Sequence, residues 1–324
     1  MFNFPNQMLQ VFKSDETQTS FEKNGFVILP FYSPEEINQL NEMYHQLHPK
    51  DENGFFPSTF SKDKKYRLVA DEEIRRIGRR SINQYCQNIK VVCGAFIVKN
   101  IGIESGMCVH QDMSLVDESR FTGINIWVPL VDLTIENGAL FVLKGSHRMF
   151  PTYRGSSISE CFSPVMNQVL DFLEPIIIKA GEAVFFDQSI IHFSPPNYSD
   201  NIRIVTNTYF THQDAEFRTY YWEKDFENNI EVFVQDDSFM TNFDQFGENI
   251  HERPKVGKSL GLVPYQFPKI DLNYLEKNFQ RTNARQLISN AIPKEINTQN
   301  IEIDQVKFPD NKKGILAKLK SFFN

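Results

Sequence analysis

The chain has 324 residues, of which 41% are hydrophobic and 13% aromatic, and its net charge at pH 7 is −7. This much apolar material allows a sizeable core, in one large domain or in one domain with an appendage, and it argues against disorder throughout. The negative charge argues against general nucleic-acid binding, which requires a basic surface.

The N-terminal part is predicted to contain one short strand and two helices. An apolar run over residues 26–29 is typical of a strand. Ser33 then precedes Pro34, and Glu36 follows three residues after Ser33. This is the pattern of a helix N-cap with a capping box, and apolar residues at helical spacing follow it. Residues 71–90 predict a second amphipathic helix.

From residue 91 the pattern changes to short runs rich in Val, Ile, Phe and Thr. Turn signals such as Asn137-Gly138 and Ala180-Gly181 separate these runs, and no long helical pattern lies between them. The absence of alternating helices argues against a parallel α/β sheet. We therefore predict a mainly β fold with flanking helices, in which the core is an antiparallel barrel or jelly roll behind an N-terminal helical support.

Beyond residue 212 the chain is polar and aromatic, with little clear periodicity. We expect residues 213–324 to be an extension that wraps or caps the barrel as loops and short helices, and residues 1–212 to form the barrel domain. The last 14 residues, NKKGILAKLKSFFN, predict a short basic amphipathic helix. Contact with a membrane or a partner is one interpretation of this helix, and docking on its own domain is the other.

The spacing of the cysteines predicts the redox state of the compartment in which the protein resides. They show no CxxC or other paired spacing, which is typical of reduced thiols in a cytoplasmic protein and not of a disulfide framework. The N-terminus lacks a basic segment followed by a long apolar run, and no stretch is apolar enough to span a membrane. We expect a cytoplasmic protein with no signal peptide and no integral membrane segment. The four cysteines are Cys86, Cys93, Cys108 and Cys161.

His110 and Asp112 lie one residue apart in the strand-like run MCVHQDMS, so their side chains share one face of the strand. One interpretation is a surface strand whose polar face is wet. The other is a metal site, because two imidazoles and one carboxylate are the ligand set of non-haem Fe(II) oxygenases. A second histidine must then come from a distant strand; the candidates are His147, His192, His212 and His251.

His192 and Arg203 favour the metal interpretation. His192 ends the apolar run AVFFDQSII, where an unpaired polar side chain would be costly. Arg203 follows 11 residues later inside the apolar strand NIRIVTNTYF. A buried arginine needs an anion as its partner, and a dicarboxylate cosubstrate would be such an anion.

These motifs together resemble the phytanoyl-CoA dioxygenase family of Fe(II)- and 2-oxoglutarate-dependent oxygenases. The resemblance extends over roughly residues 20–212. It is carried by GFVILPFYSPEEINQL (25–40), HQD (110–112), NGALFVLKGSH (137–147), with Lys144 where many members have Pro, and IHFS (191–194) followed by Arg203.

The resemblance implies a double-stranded β-helix, a jelly roll of the cupin kind, with His110, Asp112 and His192 on Fe(II). It also implies that Arg203 binds the C-5 carboxylate of 2-oxoglutarate, with O2 as the second cosubstrate. Further implied cosubstrate contacts are Ser194, Trp127 and Lys99. For Ser194 and Trp127 the alternative is ordinary packing, and for Lys99 it is a solvated strand end.

The expected reaction is hydroxylation of an unactivated C–H bond in a small organic substrate, with succinate and CO2 as products. The substrate classes that remain open are a natural-product intermediate, an amino acid and an acyl derivative. Asp112 favours hydroxylation over halogenation, because related halogenases have Gly or Ala at this position. Desaturation and cyclisation use the same ligands and remain open. The alternative is a metal-binding cupin-type jelly roll that is non-catalytic or isomerising, in which Arg203 has no role.

Residues 113–121 predict a lid between the metal strand and the next strand. Arg120 and Asn125 are candidates for substrate contact there, and a surface salt bridge is the alternative for Arg120. Asp187 is a candidate partner of a metal ligand, with a turn role as its alternative. The oligomeric state is not predicted by the sequence.

Overall fold

The computed structural model describes residues 8–48, 53–148, 153–236, 238–240 and 251–293. The α-helices are α1 (Asp15–Asn24), α2 (Pro34–Leu47), α3 (Lys64–Tyr85), α4 (Met166–Val169), α5 (Leu272–Asn278) and α6 (Ala284–Ala291). The strands are β1 (Phe26–Pro30), β2 (Phe55–Pro57), β3 (Ile89–Lys99), β4 (Met107–His110), β5 (Gly123–Pro129), β6 (Leu140–Val142), β7 (Glu174–Ile176), β8 (Glu182–Asp187), β9 (His192–Ser194), β10 (Arg203–His212), β11 (Phe217–Tyr221), β12 (Asn229–Gln235) and β13 (Lys258–Pro264).

Two antiparallel sheets form the centre of the molecule. A 6-stranded sheet has the order β1-β8-β5-β10-β3-β2, and a 4-stranded sheet has the order β4-β9-β6-β7. From β3 to β10 the chain crosses between the sheets at each connection except the one between β6 and β7. This winding is that of a double-stranded β-helix, which confirms the predicted mainly β jelly-roll class.

Side-chain alternation in the strands divides the apolar residues among separate cores. One core lies between the two sheets and includes Trp127, Val142 and Val205. A second core joins the outer face of the 6-stranded sheet to the N-terminal helices. A third core covers the outer face of the 4-stranded sheet and includes Leu275 of α5 and Ile288 of α6. Both sheets are therefore covered by helices on their outer faces.

The N-terminal helices begin at the capping residues that support them. In α2 the Ser33 hydroxyl accepts from the backbone N–H of Glu36, and the Glu36 carboxylate accepts from that of Ser33, as the capping-box pattern predicts. The second predicted helix was placed at residues 71–90, but α3 begins earlier and ends at Tyr85. Its N-cap is Asp63, and buried Tyr66 anchors the first turn that the sequence prediction missed.

The expectation of loops and short helices after residue 212 was partly wrong. α5 and α6 are short helices, but β11, β12 and β13 form a 3-stranded antiparallel sheet. The strand signal is present in NIEVFVQ, where Ile230, Val232 and Val234 alternate with other residues. The polar, irregular sequence on both sides of this run hid it. The basic helix predicted for residues 311–324 lies outside the described residues.

Two sequence predictions about the whole chain concern membranes and thiols. Among the residues that the structure describes, no helix is both long and apolar enough to cross a membrane. The cysteines at positions 86, 93, 108 and 161 are free thiols, as their spacing predicted.

Candidate metal centre

Three side chains from β4, β9 and the residues just after β4 come together in one cluster. β4 and β9 are antiparallel neighbours, and their register places His110 opposite His192. The Asp112 Oδ1 atom lies 3.8 Å from His110 Nε2 and 3.9 Å from His192 Nε2. One ligand atom from each of the three side chains lies within 4.8 Å of the other two. These separations fit three ligands on one face of a single metal ion.

Backbone carbonyls fix which nitrogen of each imidazole faces the centre. His110 Nδ1 lies 2.8 Å from the carbonyl oxygen of Cys108, and His192 Nδ1 lies 3.0 Å from that of Ile190. A carbonyl only accepts, so each Nδ1 carries the proton and each Nε2 keeps its lone pair for a metal. Burial, with a contribution from His192, lowers the pKa of His110 to about 4. The imidazole of His110 is therefore neutral at pH 7, as metal binding requires.

Two asparagines orient the carboxylate of Asp112. Asn125 Nδ2 donates to Asp112 Oδ2 at 2.9 Å, and Asn207 Nδ2 donates to Asn125 Oδ1 at 2.8 Å. Asn125 was predicted as a candidate for substrate contact, and the structure places its side-chain amide against the carboxylate of Asp112. Asn207 was missed, although its polar side chain lies four residues after Arg203 in an apolar strand. That spacing puts both side chains on the same face of β10.

Arg203 lies deep between the sheets, with only 1% of its surface exposed. Nη1 donates to the carbonyl of Gly138 at 2.7 Å, the guanidinium lies 5.1 Å from the ring centre of Trp127, and Nε has no hydrogen-bond partner. Burial lowers the pKa of Arg203 to about 9. No carboxylate among the described residues forms an ion pair with it. A buried cation with an unused N–H fits an anionic ligand.

Lys99 is fully buried and lies opposite Arg203 in the pairing of β3 with β10. The alternative of a solvated strand end was therefore wrong. Its ammonium donates to the carbonyls of Ser105, Ser194 and Pro195 at 2.7, 3.0 and 2.6 Å. Ser194, which is buried, thus meets Lys99 through its backbone. Lys99 joins the segment before β4 to the segment after β9.

The remaining candidates from the sequence are not part of the cluster of His110, Asp112 and His192. His147 Nε2 lies 3.1 Å from the carbonyl of Glu22, His251 Nδ1 lies near the carbonyl of Ser156, and His212 lies beside Asp214. Asp187 accepts from the hydroxyl groups of Thr122 and Ser189, as well as from the backbone N–H of Ser189, so it holds the turn after β8. The guanidinium of Arg120 lies over the ring of Phe121 and forms none of the ion pairs found in the described part of the chain.

Glu160 is a half-buried carboxylate near Asp112 that no sequence signal selected. It accepts from the backbone N–H of Gln111, between two of the three ligands, and its Oε2 has no hydrogen-bond partner. Burial raises the pKa of Glu160 to about 7. Its segment has no regular pattern, so only the folded structure brings it to this position.

Comparison with known proteins identifies the family. The model of the family described as phytanoyl-CoA dioxygenase (PhyH) matches residues 21–205. A Dictyostelium discoideum protein named phytanoyl-CoA dioxygenase domain-containing protein 1 homolog is 31% identical over 128 residues, 37% of this chain and 45% of the relative. An Arabidopsis thaliana phytanoyl-CoA dioxygenase is 27% identical over 184 residues, 55% of this chain and 58% of the relative. The chain thus spans about half the length of the curated relatives it matches.

Solved structures with a similar chain arrangement include SnoK and EvdO2. The α-ketoglutarate-dependent carbocyclase SnoK from nogalamycin biosynthesis has a TM-score of 0.47 at 17% identity, covering 63% of this chain and 86% of SnoK. EvdO2 from Micromonospora carbonacea var. aurantiaca, complexed with 2-oxoglutarate, has a TM-score of 0.44 at 22% identity, covering 61% and 91%. The family match covers more than half of the chain, and the chain therefore belongs to the phytanoyl-CoA dioxygenase family.

Proposed function

We propose that this protein is an Fe(II)- and 2-oxoglutarate-dependent dioxygenase that hydroxylates an unactivated C–H bond of a small organic substrate. The substrate classes are a natural-product intermediate, an amino acid or an acyl derivative, and succinate and CO2 are the coproducts. The observation that carries the proposal is the joint placement of two imidazoles, one carboxylate and a buried, unpaired arginine inside one barrel.

The ligand set fits ferrous iron. Two neutral imidazole nitrogens and one carboxylate oxygen on one face of the metal leave further coordination positions open. His110, Asp112 and His192 would hold the ion, and their Nδ1 and carboxylate contacts keep the donor atoms turned inward. When bound, Fe(II) and 2-oxoglutarate supply with O2 an oxidant that cleaves the substrate C–H bond.

Arg203 would bind the far carboxylate of 2-oxoglutarate. Its unused Nε–H and its burial favour an anion over water, and a fork of two N–H groups suits a carboxylate. Trp127 holds the guanidinium plane from one side at 5.1 Å. Phe186 lies 5.3 Å from the His192 ring, so aromatic surface keeps water away from the same space. Ser194 and Lys99 would support this pocket, with the Lys99 ammonium donating to the carbonyl of Ser194 at 3.0 Å.

Asp112 supports hydroxylation over halogenation. Its carboxylate oxygens lie at the centre with the two imidazoles, and in related halogenases a residue without a carboxylate leaves this position to a halide. The Asn125 amide holds this carboxylate in place at 2.9 Å. Desaturation or cyclisation would need the same ligands, and product analysis distinguishes these reactions from hydroxylation.

A reducing, cytoplasmic location and a small-molecule substrate complete the proposal. The four free cysteines support a reducing compartment. The net charge of −7 supports a partner other than nucleic acid.

Succinate formation tests the proposal. Protein loaded with Fe(II) under anaerobic conditions and then exposed to O2 with 2-oxoglutarate should release succinate slowly even without its substrate. Asp112→Ala should lower this rate by about 100-fold or more, because it removes a metal ligand. If folded, iron-containing wild-type protein forms no succinate and consumes no O2, the dioxygenase proposal is wrong. The alternative, a metal-binding cupin-type protein, would then be favoured.

A further inference from the structure

Four residues form a closed ring of hydrogen bonds around the backbone of Asp112. Arg154 Nε donates to the carbonyl of Asp112 at 2.7 Å, and the backbone N–H of Asp112 donates to the carbonyl of Gln188 at 3.1 Å. Both terminal nitrogens of Arg154 donate to the carboxylate of Glu118. The side-chain amide of Gln188 donates to the same carboxylate, which closes the ring.

The ring is centred on a buried arginine whose donors are engaged. Arg154 is only 5% exposed, and its three donating nitrogens all have acceptors within the ring. Its contact with Glu118 is a bidentate fork, which fixes orientation as well as distance. The Gln188 side chain also accepts from the hydroxyl of Tyr209 at 2.9 Å. These contacts fix the orientation of the Arg154 and Gln188 side chains.

The ring joins the two chain segments that carry the metal ligands. Asp112 begins the segment that leads into residues 113–121, and Gln188 lies in the turn four residues before His192. Asn125 already fixes the Asp112 carboxylate. The ring fixes its peptide groups on both sides, so it sets the position from which the carboxylate reaches the centre.

Another arginine holds the same segment without reaching the ligand. Arg218 Nη1 donates to Asp117 at 3.0 Å, and its Nη2 donates to Glu216 at 3.1 Å. Residues 113–121 are therefore held by two arginines, of which only Arg154 contacts Asp112. The backbone of Arg154 also pairs with Ser114 in both directions, and this pairing does not depend on the arginine side chain.

We propose that Arg154, held by Glu118 and Gln188, is a positioning residue that preorganises Asp112 for metal binding. This inference rests on the proposed metal site. Segment 153–160 contributes none of the three candidate ligands. Through Arg154 it would nevertheless control the affinity of the centre for metal. Partners that orient a metal ligand in this way commonly change metal affinity by about 10- to 100-fold when removed.

Anaerobic titration of the metal-free protein with Co(II), followed by its visible absorption and by calorimetry, tests the inference without turnover. Arg154→Gln should raise the dissociation constant for Co(II) by about 10- to 100-fold. Arg154→Lys should give a smaller increase, because one ammonium nitrogen cannot reproduce the fork. Arg218→Gln is the matched control. It should change the dissociation constant by less than about twofold, because the Arg218 side chain shares no partner with Arg154.

Thermal unfolding of each metal-free variant separates positioning from folding. If Arg154→Gln does not fold, Gln188→Met opens the ring without leaving a buried charge, and it should still raise the constant several-fold. Equal Co(II) affinity in Arg154→Gln and wild type, or equal loss in Arg154→Gln and Arg218→Gln, would overturn the inference. Unchanged affinity in a folded Gln188→Met would do the same where Arg154→Gln is unfolded. If the wild type itself binds no Co(II), the proposed metal site fails, and this inference fails with it.

Discussion

At the residue scale, the position of Asp112 depends on neighbours that are not themselves ligands. Asn125 holds one carboxylate oxygen, and Asn207 holds Asn125 in the orientation that allows this bond. The Nδ1 atoms of the two histidines are each held by the backbone carbonyl two residues earlier in the chain. The carboxylate is therefore the ligand whose geometry is most exposed to substitution elsewhere in the barrel.

Asn125→Ala should weaken metal binding by about tenfold, because the Asp112 carboxylate loses the donor that orients it. Calorimetric titration of the metal-free protein with Co(II) measures this change. Asn207→Ala removes only the partner of Asn125, so its effect should be smaller. An Asn125→Ala protein with wild-type affinity would show that the Asp112 carboxylate needs no orienting donor.

Local sequence signals marked the candidate ligands but not the residues that support them. His110 and Asp112 are one residue apart in a strand-like run, and His192 and Arg203 are polar residues in apolar runs, so each carried a local signal. Arg154 and Glu160 lie in irregular sequence, and their contacts form only when distant segments meet. Lys99 was misjudged because a lysine at a strand end is ordinarily solvated, whereas here three carbonyls satisfy a buried ammonium.

At the element scale, α2 is tied to the structure at both ends. Its capping box includes Glu36, whose carboxylate also binds Arg80 of α3 at 2.8 Å. Its C-cap His48 stacks on Tyr44 with ring centres 4.4 Å apart and lies 2.9 Å from the hydroxyl of Tyr66. α2 therefore connects the first strand of the sheet to the long helix α3.

Ser33→Ala should lower the free energy of unfolding by about 1 kcal/mol, because the first turn of α2 loses its side-chain cap. Urea denaturation at pH 7.5 measures this difference. Ser33→Thr keeps a hydroxyl at the N-cap, so its free energy of unfolding should be close to that of the wild type. Equal stability of Ser33→Ala and wild type would contradict the role of the capping box.

His48 should make the stability depend on pH. Burial, with a smaller contribution from His45, lowers the pKa of His48 to about 4 from a usual value of 6.5. The unfolded chain therefore binds a proton between pH 6.5 and 4 that the folded protein does not. The stability that neutral His48 provides is complete above this window and is lost as the pH falls through it.

Between pH 7 and pH 5 this linkage should cost the wild type roughly 1–2 kcal/mol, after allowance for partial exposure. His48→Gln should lose less stability over the same interval, whereas His45→Gln should follow the wild type. Urea denaturation at both pH values gives these slopes. The linkage would be refuted by a His48→Gln slope equal to that of the wild type.

The elements themselves were predicted unevenly for a physical reason. α2 and the strands of the barrel carry caps or runs of β-branched and aromatic residues, which are local signals. The 3-stranded sheet of β11, β12 and β13 was missed because β13 is largely exposed and its sequence, KSLGLVP, has little contrast between faces. Pairing with β12 makes it a strand, and that partner is set by the fold.

At the scale of the whole molecule, residues after the barrel complete its outer core. Leu275 of α5 is fully buried with Phe141, Phe162 and Phe193 of the barrel. Part of segment 213–324 thus packs on segment 1–212. The division of the chain into these two domains remains a prediction.

Leu275→Ala should lower the free energy of unfolding by about 2–5 kcal/mol, as expected for a large-to-small change in a core. Leu260→Ala is the control, because Leu260 is 51% exposed and its truncation should be nearly neutral. Urea denaturation of the metal-free proteins compares them. A Leu275→Ala protein as stable as the control would show that the C-terminal helices add little to the fold.

The most direct test of the proposed function is the binding of 2-oxoglutarate to the Fe(II)-loaded protein without O2. An Fe(II)–2-oxoglutarate chelate gives a weak visible absorption band, and titration of wild type and Arg203→Ala follows it. The wild type should develop the band, and Arg203→Ala should need at least tenfold more 2-oxoglutarate, because a charge-assisted fork contributes about 1.5–3 kcal/mol. A wild-type protein that is folded and binds iron but shows no band would contradict the assignment of this barrel as a 2-oxoglutarate oxygenase.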